Sequence, residues 1–180
     1  MTLPRLTGPR VALVPVPHDL AVAVLTARPL DTPLDAPLAA LGLTAGQGWP
    51  HDDTAAALQP LAEHGGPGGD GGWLVVVDGA VVGDCGWRGG PSADGEVVLG
   101  YGLAEPSRRQ GLGTEAVAVL CAWAERQAGV RRLAADVEVG NDASRRLLRR
   151  LGFTEEPAAP GWVRCVRGED QPRVRGRHVC

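Results

Sequence analysis

The stretch that decides the fold runs from Glu96 to Phe153 and reads EVVLGYGLAEPSRRQGLGTEAVAVLCAWAERQAGVRRLAADVEVGNDASRRLLRRLGF. Its apolar pattern predicts a strand, a glycine-punctuated turn, a long helix, a second strand and a short helix. The long helix is expected from about Leu112 to Gln127, and the second strand from Arg131 to Val139. This strand–helix–strand passage is expected to cross over with a right-handed sense.

Further strands are predicted on both sides of this stretch. Apolar runs bounded by turn residues predict them at residues 10–16, 73–77, 80–87, 153–155 and 161–167. Asp78-Gly79 joins two of these runs and is a dipeptide typical of a tight hairpin. Residues 64–72 include six glycines and are expected to form a flexible loop. Three consecutive antiparallel strands therefore precede the long helix.

Composition favours one soluble domain. The chain has 180 residues, of which 44% are hydrophobic and 22% are charged, as in ordinary globular proteins. Residues 1–167 are predicted to form the domain, and the polar, arginine-rich residues 168–180 a frayed tail. The first 105 residues are acidic and the rest are basic. This asymmetry would suit a cationic and an anionic ligand, or it is scattered surface charge.

Metal and membrane motifs are not found in the sequence. The four cysteines form no CxxC pair, so no metal site is predicted. No apolar run approaches the roughly 20 residues of a membrane span, and residues 1–10 lack the apolar core of a signal peptide. We therefore expect reduced thiols, a cytoplasmic location, and neither a membrane nor a nucleic-acid partner.

Two pairs of glycines leave the backbone without side chains, one pair in the strand and one at the start of the long helix. Gly100 and Gly102 share one face of their strand, and a ligand, a bulge or a closely packed neighbour would explain them. Gly111 and Gly113 open the long helix, whose first amides lack partners and favour an anion such as pyrophosphate. An ordinary helix entry is the alternative. A dinucleotide motif also fits GLGTEA, but that motif directly follows the first strand of a parallel unit.

The short helix carries a hydroxyl on its apolar side. Asn141 is expected to cap this helix and Gly152 to end it. Ser144 lies three and four residues before Leu147 and Leu148, so it points with the leucines. Its hydroxyl requires a partner, either a carbonyl one turn back or a ligand.

Together these residues resemble the GNAT family of acyl-CoA N-acyltransferases, in the branch of the ribosomal-protein alanine acetyltransferases RimJ and RimL. The resemblance rests on LGYGL at 99–103, on Arg108-x-x-Gly111-x-Gly113 with Thr114-Glu115-Ala116, and on Asn141-x-x-Ser144 with Leu151-Gly152-Phe153. It implies an α+β fold. The single three-layer domain would have a mixed, mostly antiparallel sheet with splayed central strands, flanked by helices.

The resemblance also implies acetyl-CoA as the cofactor. The pantetheine arm would lie in the gap between the splayed strands, near the backbone of Leu103 and Ala104, and would contact Asn141 and Ser144. The pyrophosphate would lie on a turn formed by Arg108, Arg109, Gln110, Gly111, Leu112, Gly113 and Thr114.

The implied reaction is acyl transfer from a thioester to an amine. A backbone N–H near Tyr101–Leu103 would stabilise the oxyanion. Many family members place a tyrosine on the last helix as the acid for the thiolate. This chain has Leu148 there, which leaves Ser144 as the candidate catalytic acid.

The general base is less well marked. Relatives often carry an acidic residue just before Leu-Gly-Tyr, where this chain has Val98. Glu96 is the candidate catalytic base, although it lies roughly 13 Å from Gly100 on an ideal strand. The rivals are His18, His51 and Asp84, and a surface role is the expected alternative for each.

The predicted function is acetyl-CoA-dependent N-acetyl transfer to a primary amine, on a protein N-terminus or a small molecule. The acceptor side would be lined by the acidic N-terminal half, with Trp49, His51, Asp52 and Asp53. A non-catalytic, regulatory acetyl-CoA-binding module is the alternative, because Val98 and Leu148 depart from the family pattern. Whether two chains pair as a homodimer is left open.

Overall fold

The structure is a computed structural model that describes residues 3–26, 34–64 and 71–168. The helices in these residues are α1 (His18–Thr26), α2 (Asp35–Ala39), α3 (Thr54–His64), α4 (Leu112–Ala124) and α5 (Asp142–Arg150). The strands are β1 (Leu6–Thr7), β2 (Ala12–Pro15), β3 (Thr44–Ala45), β4 (Gly71–Val77), β5 (Ala80–Arg88), β6 (Glu96–Leu103), β7 (Arg132–Glu138), β8 (Thr154–Pro157) and β9 (Trp162–Gly168).

Two predicted segments fall partly outside the described residues. In the predicted glycine-rich loop at 64–72, His64 belongs to α3 and Gly71 and Gly72 begin β4, and residues 65–70 lie outside the described part of the chain. Gly168 ends β9, and residues 169–180 of the predicted tail lie outside the described part of the chain. The long helix α4 ends at Ala124, three residues earlier than predicted, and turns follow it.

The described strands form one sheet in the order β1-β2-β4-β5-β6-β7-β9-β8, with β3 beside β5. Neighbours are antiparallel except for the pairs β6–β7 and β3–β5. The β4–β5 hairpin turns at Asp78 and Gly79, which both have positive φ angles, 48° and 80°. Such a turn matches the twist of the strands that it joins. The three predicted antiparallel strands are confirmed as β4, β5 and β6.

Helices cover both faces of this sheet. On one face α4 and α5 bury a cluster that includes Val97, Val117, Leu120, Leu133 and Leu148. On the other face α1, α2 and α3 bury a cluster that includes Leu20, Leu38, Leu58, Leu74 and Val81. The predicted three-layer α+β domain is therefore confirmed. None of the helices in the described ranges has the length and apolar character that a bilayer span requires.

The sheet opens between β6 and β7. These strands pair only where Glu96–Val98 lie beside Arg132–Ala134. Beyond that point β6 remains paired with β5 but not with β7, although both strands continue. Glu96 also forms ion pairs with Arg132 and Arg164 at the closed end. The splay expected between the central strands is thus present.

Candidate active site

A cleft of about 780 Å³ opens where β6 and β7 separate. Its walls come from α3 and the segment before it, from β4, β5, β6 and β7, from the start of α5, and from the segment that leads into β9. The lining residues include His51, Asp53, Asp84, Trp87, Gly100, Tyr101, Gly102, Asp136, Glu138, Asn141, Ser144 and Trp162. Two predicted site residues, Asn141 and Ser144, are therefore brought to one cavity.

Alternate residues of β6 direct their backbone groups into the gap. The N–H of Ala104 donates to the carbonyl of Val82 at 2.9 Å, on the β5 side. Since bonding alternates along an antiparallel strand, Tyr101 and Leu103 turn their backbone groups away from β5. The Leu103 carbonyl accepts a bond from Nε of Arg108 at 2.8 Å. The N–H groups of Tyr101 and Leu103 consequently face the side from which β7 has separated.

Ala104 departs from the expectation for the cofactor arm. Its N–H is bonded to Val82, and its carbonyl accepts a bond from the N–H of Ser107 at 2.9 Å. The residue is also fully buried. Because its backbone groups are already used within the protein, Ala104 is corrected as a partner of the cofactor arm, and Leu103 stays a prediction.

The two glycines of β6, Gly100 and Gly102, have different surroundings. A β carbon on Gly100 would have no neighbour within 4 Å, so this position is open to the cleft. A β carbon on Gly102 would lie 2.7 Å from Nε2 of His51. Of the explanations that the sequence left open, close packing by a neighbour applies to Gly102, and a ligand stays a prediction for Gly100.

The turn before α4 presents uncapped amides. Gly111 occupies the N-cap position with a φ of 82°, and no side chain closes the first turn. The amides of Leu112, Gly113 and Thr114 therefore have no partner within the helix. Arg109 also adopts a left-handed φ, of 62°, and is exposed. Uncapped amides beside a cation form an environment that favours an anionic group.

Residues outside the predicted turn hold it in place. Nη1 of Arg10 donates to the Gln110 carbonyl at 3.1 Å, and Nε of Arg10 bonds to Glu115 at 3.0 Å. The Glu115 carboxylate also accepts from the N–H groups of Arg10 and Val11. Burial opposes ionisation of Glu115, but these donors hold its pKa below the ordinary value. The Gln110 side chain donates to Pro106, so it is occupied locally.

Ser144 meets a partner that the sequence did not indicate. Oδ1 of Asn141 accepts from the N–H of Ser144 at 3.1 Å, which confirms Asn141 as the cap of α5. The Ser144 side chain lies beside the hydroxyl of Tyr101. That hydroxyl is buried and has no well-aligned hydrogen bond within the described residues. Burial raises the pKa of Tyr101 to about 12, although Ser144 acts to lower it. Strand β6 thus supplies a phenol where the last helix lacks one.

A second polar group surrounds Asp84, which pairs with Gly102 across the β5–β6 ladder. One oxygen, Oδ2, accepts from Oγ1 of Thr54 at 2.8 Å and from Nε1 of Trp49 at 3.3 Å. Nε2 of His51 lies 3.1 Å from the same oxygen, without ideal alignment. The side chains of His51 and Asp84 are only 6% and 4% exposed.

These positions correct the surface role expected for His51 and Asp84. The available signal was GDCG, because a carboxylate within an apolar strand requires buried partners. His18, in contrast, is exposed as expected and contacts the Leu61 carbonyl. Trp49 lies behind Asp84 rather than on the cleft wall, and Asp53 lines the cleft.

Glu96 does not reach the cleft. It lies at the closed end of the β6–β7 pair and forms ion pairs with Arg132 and Arg164. Arg164 also contacts Asp136 at 2.6 Å, and Arg132 contacts Glu156 at 2.5 Å. The structure therefore corrects the placement of Glu96 as a base: its carboxylate is held by two arginines away from the cavity.

Several known proteins are similar to this chain. Residues 24–154 match the family described as acetyltransferase (GNAT) domain. The chain is 30% identical over 119 residues to the uncharacterized N-acetyltransferase YjdG of Bacillus subtilis (strain 168), covering 63% of this chain and 71% of YjdG.

The fold is similar to that of two acetyltransferases solved with bound coenzymes. For RimL, the ribosomal L7/L12 alpha-N-protein acetyltransferase in complex with coenzyme A, the TM-score is 0.64 at 18% identity, over 93% of this chain and 99% of that one. For the microcin C7 self immunity acetyltransferase MccE in complex with acetyl-CoA and AMP, the TM-score is 0.61 at 15% identity, over 90% of this chain and 94% of that one.

Proposed function

The chain belongs to the GNAT acetyltransferase family, and from this membership we propose that it transfers an acetyl group from acetyl-CoA to a primary amine. The amine belongs to a protein N-terminus or a small molecule, and it attacks directly in a ternary complex. The observation that carries the proposal is the cleft between β6 and β7. It joins an unpaired strand edge to the hydroxyls of Tyr101 and Ser144.

The residues present fit acetyl-CoA. The uncapped amides at 112–114, beside Arg109, suit a pyrophosphate. Leu103 and Tyr101 offer unpaired N–H groups along the gap, and Gly100 leaves space above the strand. Asn141 and Ser144 stand on the opposite wall. Acetyl-CoA would supply the acetyl group as a thioester in this gap.

The chain's own groups then serve the transfer. An N–H at Tyr101 or Leu103 can donate to the carbonyl oxygen as it gains negative charge, a contribution worth about 3–4 kcal/mol in other acyl transfers. Ser144 can pass a proton to the departing sulfur. The raised pKa of Tyr101 keeps its phenol protonated, so it can donate to Ser144. Two hydroxyls from different elements thus replace the missing tyrosine of the last helix.

The acceptor side of the cleft suits a cation. Asp53 and Glu138 line the cleft together with the half-exposed ring of Trp162, while Asp136 is paired with Arg164 and Arg88 adds one positive charge to the lining. Carboxylates and an aromatic face both attract an ammonium group. Cys85, Cys121 and Cys165 are buried and free, which is consistent with the cytoplasmic location that we also propose.

The test is turnover of acetyl-CoA with a panel of amines: a peptide with a free N-terminal alanine, spermidine and kanamycin. Release of free thiol and a mass gain of one acetyl group are expected for at least one amine. Tight acetyl-CoA binding without product from any amine would instead favour the non-catalytic binding module.

A further inference from the structure

The ring of His51 is held in a defined orientation. Its Nδ1 accepts a bond from the N–H of Asp53 at 3.3 Å, so this nitrogen carries a lone pair. The proton of the neutral ring is therefore on Nε2, which faces Oδ2 of Asp84 at 3.1 Å. When a carboxylate orients one ring nitrogen of a histidine, the lone pair of the other nitrogen has a fixed orientation and can act as a base.

Asp84 is fixed in turn. Thr54 and Trp49 donate to the same oxygen that faces His51, and Thr54, Trp49 and Asp84 are all buried. The Cε1 and Nε2 atoms of the imidazole lie against Gly102, where any β carbon would collide with them. The ring therefore contacts Gly102, the residue next to Tyr101 in β6, and it lines the same cleft as Ser144.

We propose that His51 is the general base of the acetyl transfer. Its Nδ1 takes the proton of the incoming ammonium, directly or through one water, and Asp84 orients the ring and balances the imidazolium. The proposal rests on the proposed function. The Asp53 N–H that now occupies Nδ1 is a long contact, and the amine proton replaces it.

The charges around the ring set its pH range. Burial lowers the pKa of His51, but Asp84 on β5 and Asp53 before α3 raise it by more, while Arg108 after β6 lowers it. The net result is a pKa above the ordinary value of 6.5. The neutral, basic form of His51 therefore forms only as the pH rises above that value, and activity should rise with it.

The protons of the reaction balance. The ammonium carries three N–H protons, and the amide product keeps one. His51 takes one proton before the N–C bond forms. The C–S bond then breaks, and the last proton reaches the sulfur through Ser144 and Tyr101. The imidazolium of His51 finally releases its proton to water.

The experiment compares the wild type with His51→Ala, His51→Gln and Asp84→Asn, and uses His18→Gln as a matched control. Acetyl-CoA and the amine that the wild type turns over are the probes. We expect kcat to fall about 10²–10⁴-fold in both His51 variants. The dissociation constant for acetyl-CoA should not change. His18 is exposed and outside the cleft lining, so its variant should match the wild type.

Two readouts separate a base from a structural residue. Added imidazole should restore activity to His51→Ala, whereas pyrrole, a ring of similar size without a basic nitrogen, should not. In Asp84→Asn the acid limb of the kcat/KM profile should move to lower pH, because Asp84 raises the pKa of His51. If His51→Ala does not fold, His51→Gln and this shift decide the question.

Retained kcat in His51→Gln, equal rescue by pyrrole, or an unmoved acid limb in Asp84→Asn would each overturn the assignment of His51 while leaving the proposed function in place. Absence of product from the wild type with every amine would overturn the proposed function, and the role of His51 with it.

Discussion

A β carbon on Gly102 would lie 2.7 Å from Nε2 of His51, and nearer still to Cε1. The imidazole therefore occupies the space that any other amino acid needs at position 102. Neither residue could have indicated this from the sequence, because they lie 51 positions apart and the contact exists only when the segment before α3 packs on the sheet.

Gly102→Ala should consequently destabilise the protein by about 1–3 kcal/mol, as insertion of a methyl group into a filled space does. Gly100→Ala is the matched control, since the same group at that position meets nothing within 4 Å. The free energy of unfolding in urea measures both. Equal losses at the two positions would mean that His51 does not fill the space above Gly102.

Gly111→Ala should weaken acetyl-CoA binding by about tenfold, or 1.4 kcal/mol, because the side chain disturbs the uncapped amides of α4. Gly79→Ala is the control: both glycines have a φ near 80°, at 82° and 80°, and Gly79 lies in the distant β4–β5 turn. Each alanine should cost about 1–2 kcal/mol in stability for its left-handed conformation. Calorimetry should find the affinity loss at Gly111 alone.

Ser144→Ala should lower kcat by about 10²-fold or more if this hydroxyl delivers the proton to sulfur, with little change in acetyl-CoA affinity. Tyr101→Phe should lower kcat less, because it removes only the donor behind Ser144. In the double variant the losses should not add, since both hydroxyls belong to one relay. Stopped-flow thiol release measures the effect, and fully additive losses would argue for two separate roles.

The pH profile offers a further check on Tyr101. Its pKa of about 12 keeps the phenol protonated through the usual assay range. No alkaline loss of kcat from this group is therefore expected below about pH 11. A loss near pH 10 in the wild type that disappears in Tyr101→Phe would show that the phenol ionises more easily than its burial implies.

Glu96→Gln should change stability rather than catalysis. The carboxylate joins Arg132 and Arg164 at the closed end of the β6–β7 pair, and these side chains are 21–26% exposed. Loss of its charge should cost about 0.5–2 kcal/mol, between the values for surface and buried pairs. Urea denaturation should detect this cost while kcat stays at the wild-type value. A large fall in kcat with unchanged stability would restore Glu96 as a catalytic group.

Local signals were sufficient for much of this fold. The Asp78-Gly79 hairpin, the Gly111 entry to α4 and the Asn141 cap of α5 each depend on a few adjacent residues. The face of β6 was also predictable, since strand alternation places Val97 and Leu99 in the core. The splay between β6 and β7 was predicted from the resemblance to the family.

The polar contacts across the cleft could not be predicted in the same way. His51 reaches Asp84 from another layer, and Tyr101 reaches Ser144 from another element. Glu96 lies only two residues from Val98 in sequence, but its carboxylate is paired with Arg132 on β7 and Arg164 on β9. Contacts between side chains that are distant in sequence depend on how the layers pack, so strand alternation and residue spacing do not predict these contacts.

The separation of β6 from β7 gives the protein a sheet edge in its interior. Edges normally lie at the periphery, where unpaired amides attract other chains. Here the amides of Tyr101 and Leu103 have no strand partner within the described residues, although β6 and β7 lie in the middle of the sheet and are bonded to β5 and β9 on their other sides. Their hydrogens should exchange with water faster than those of Gly100 and Gly102 on the same strand. A ligand that lies along the gap would complete the sheet as a missing strand and slow that exchange.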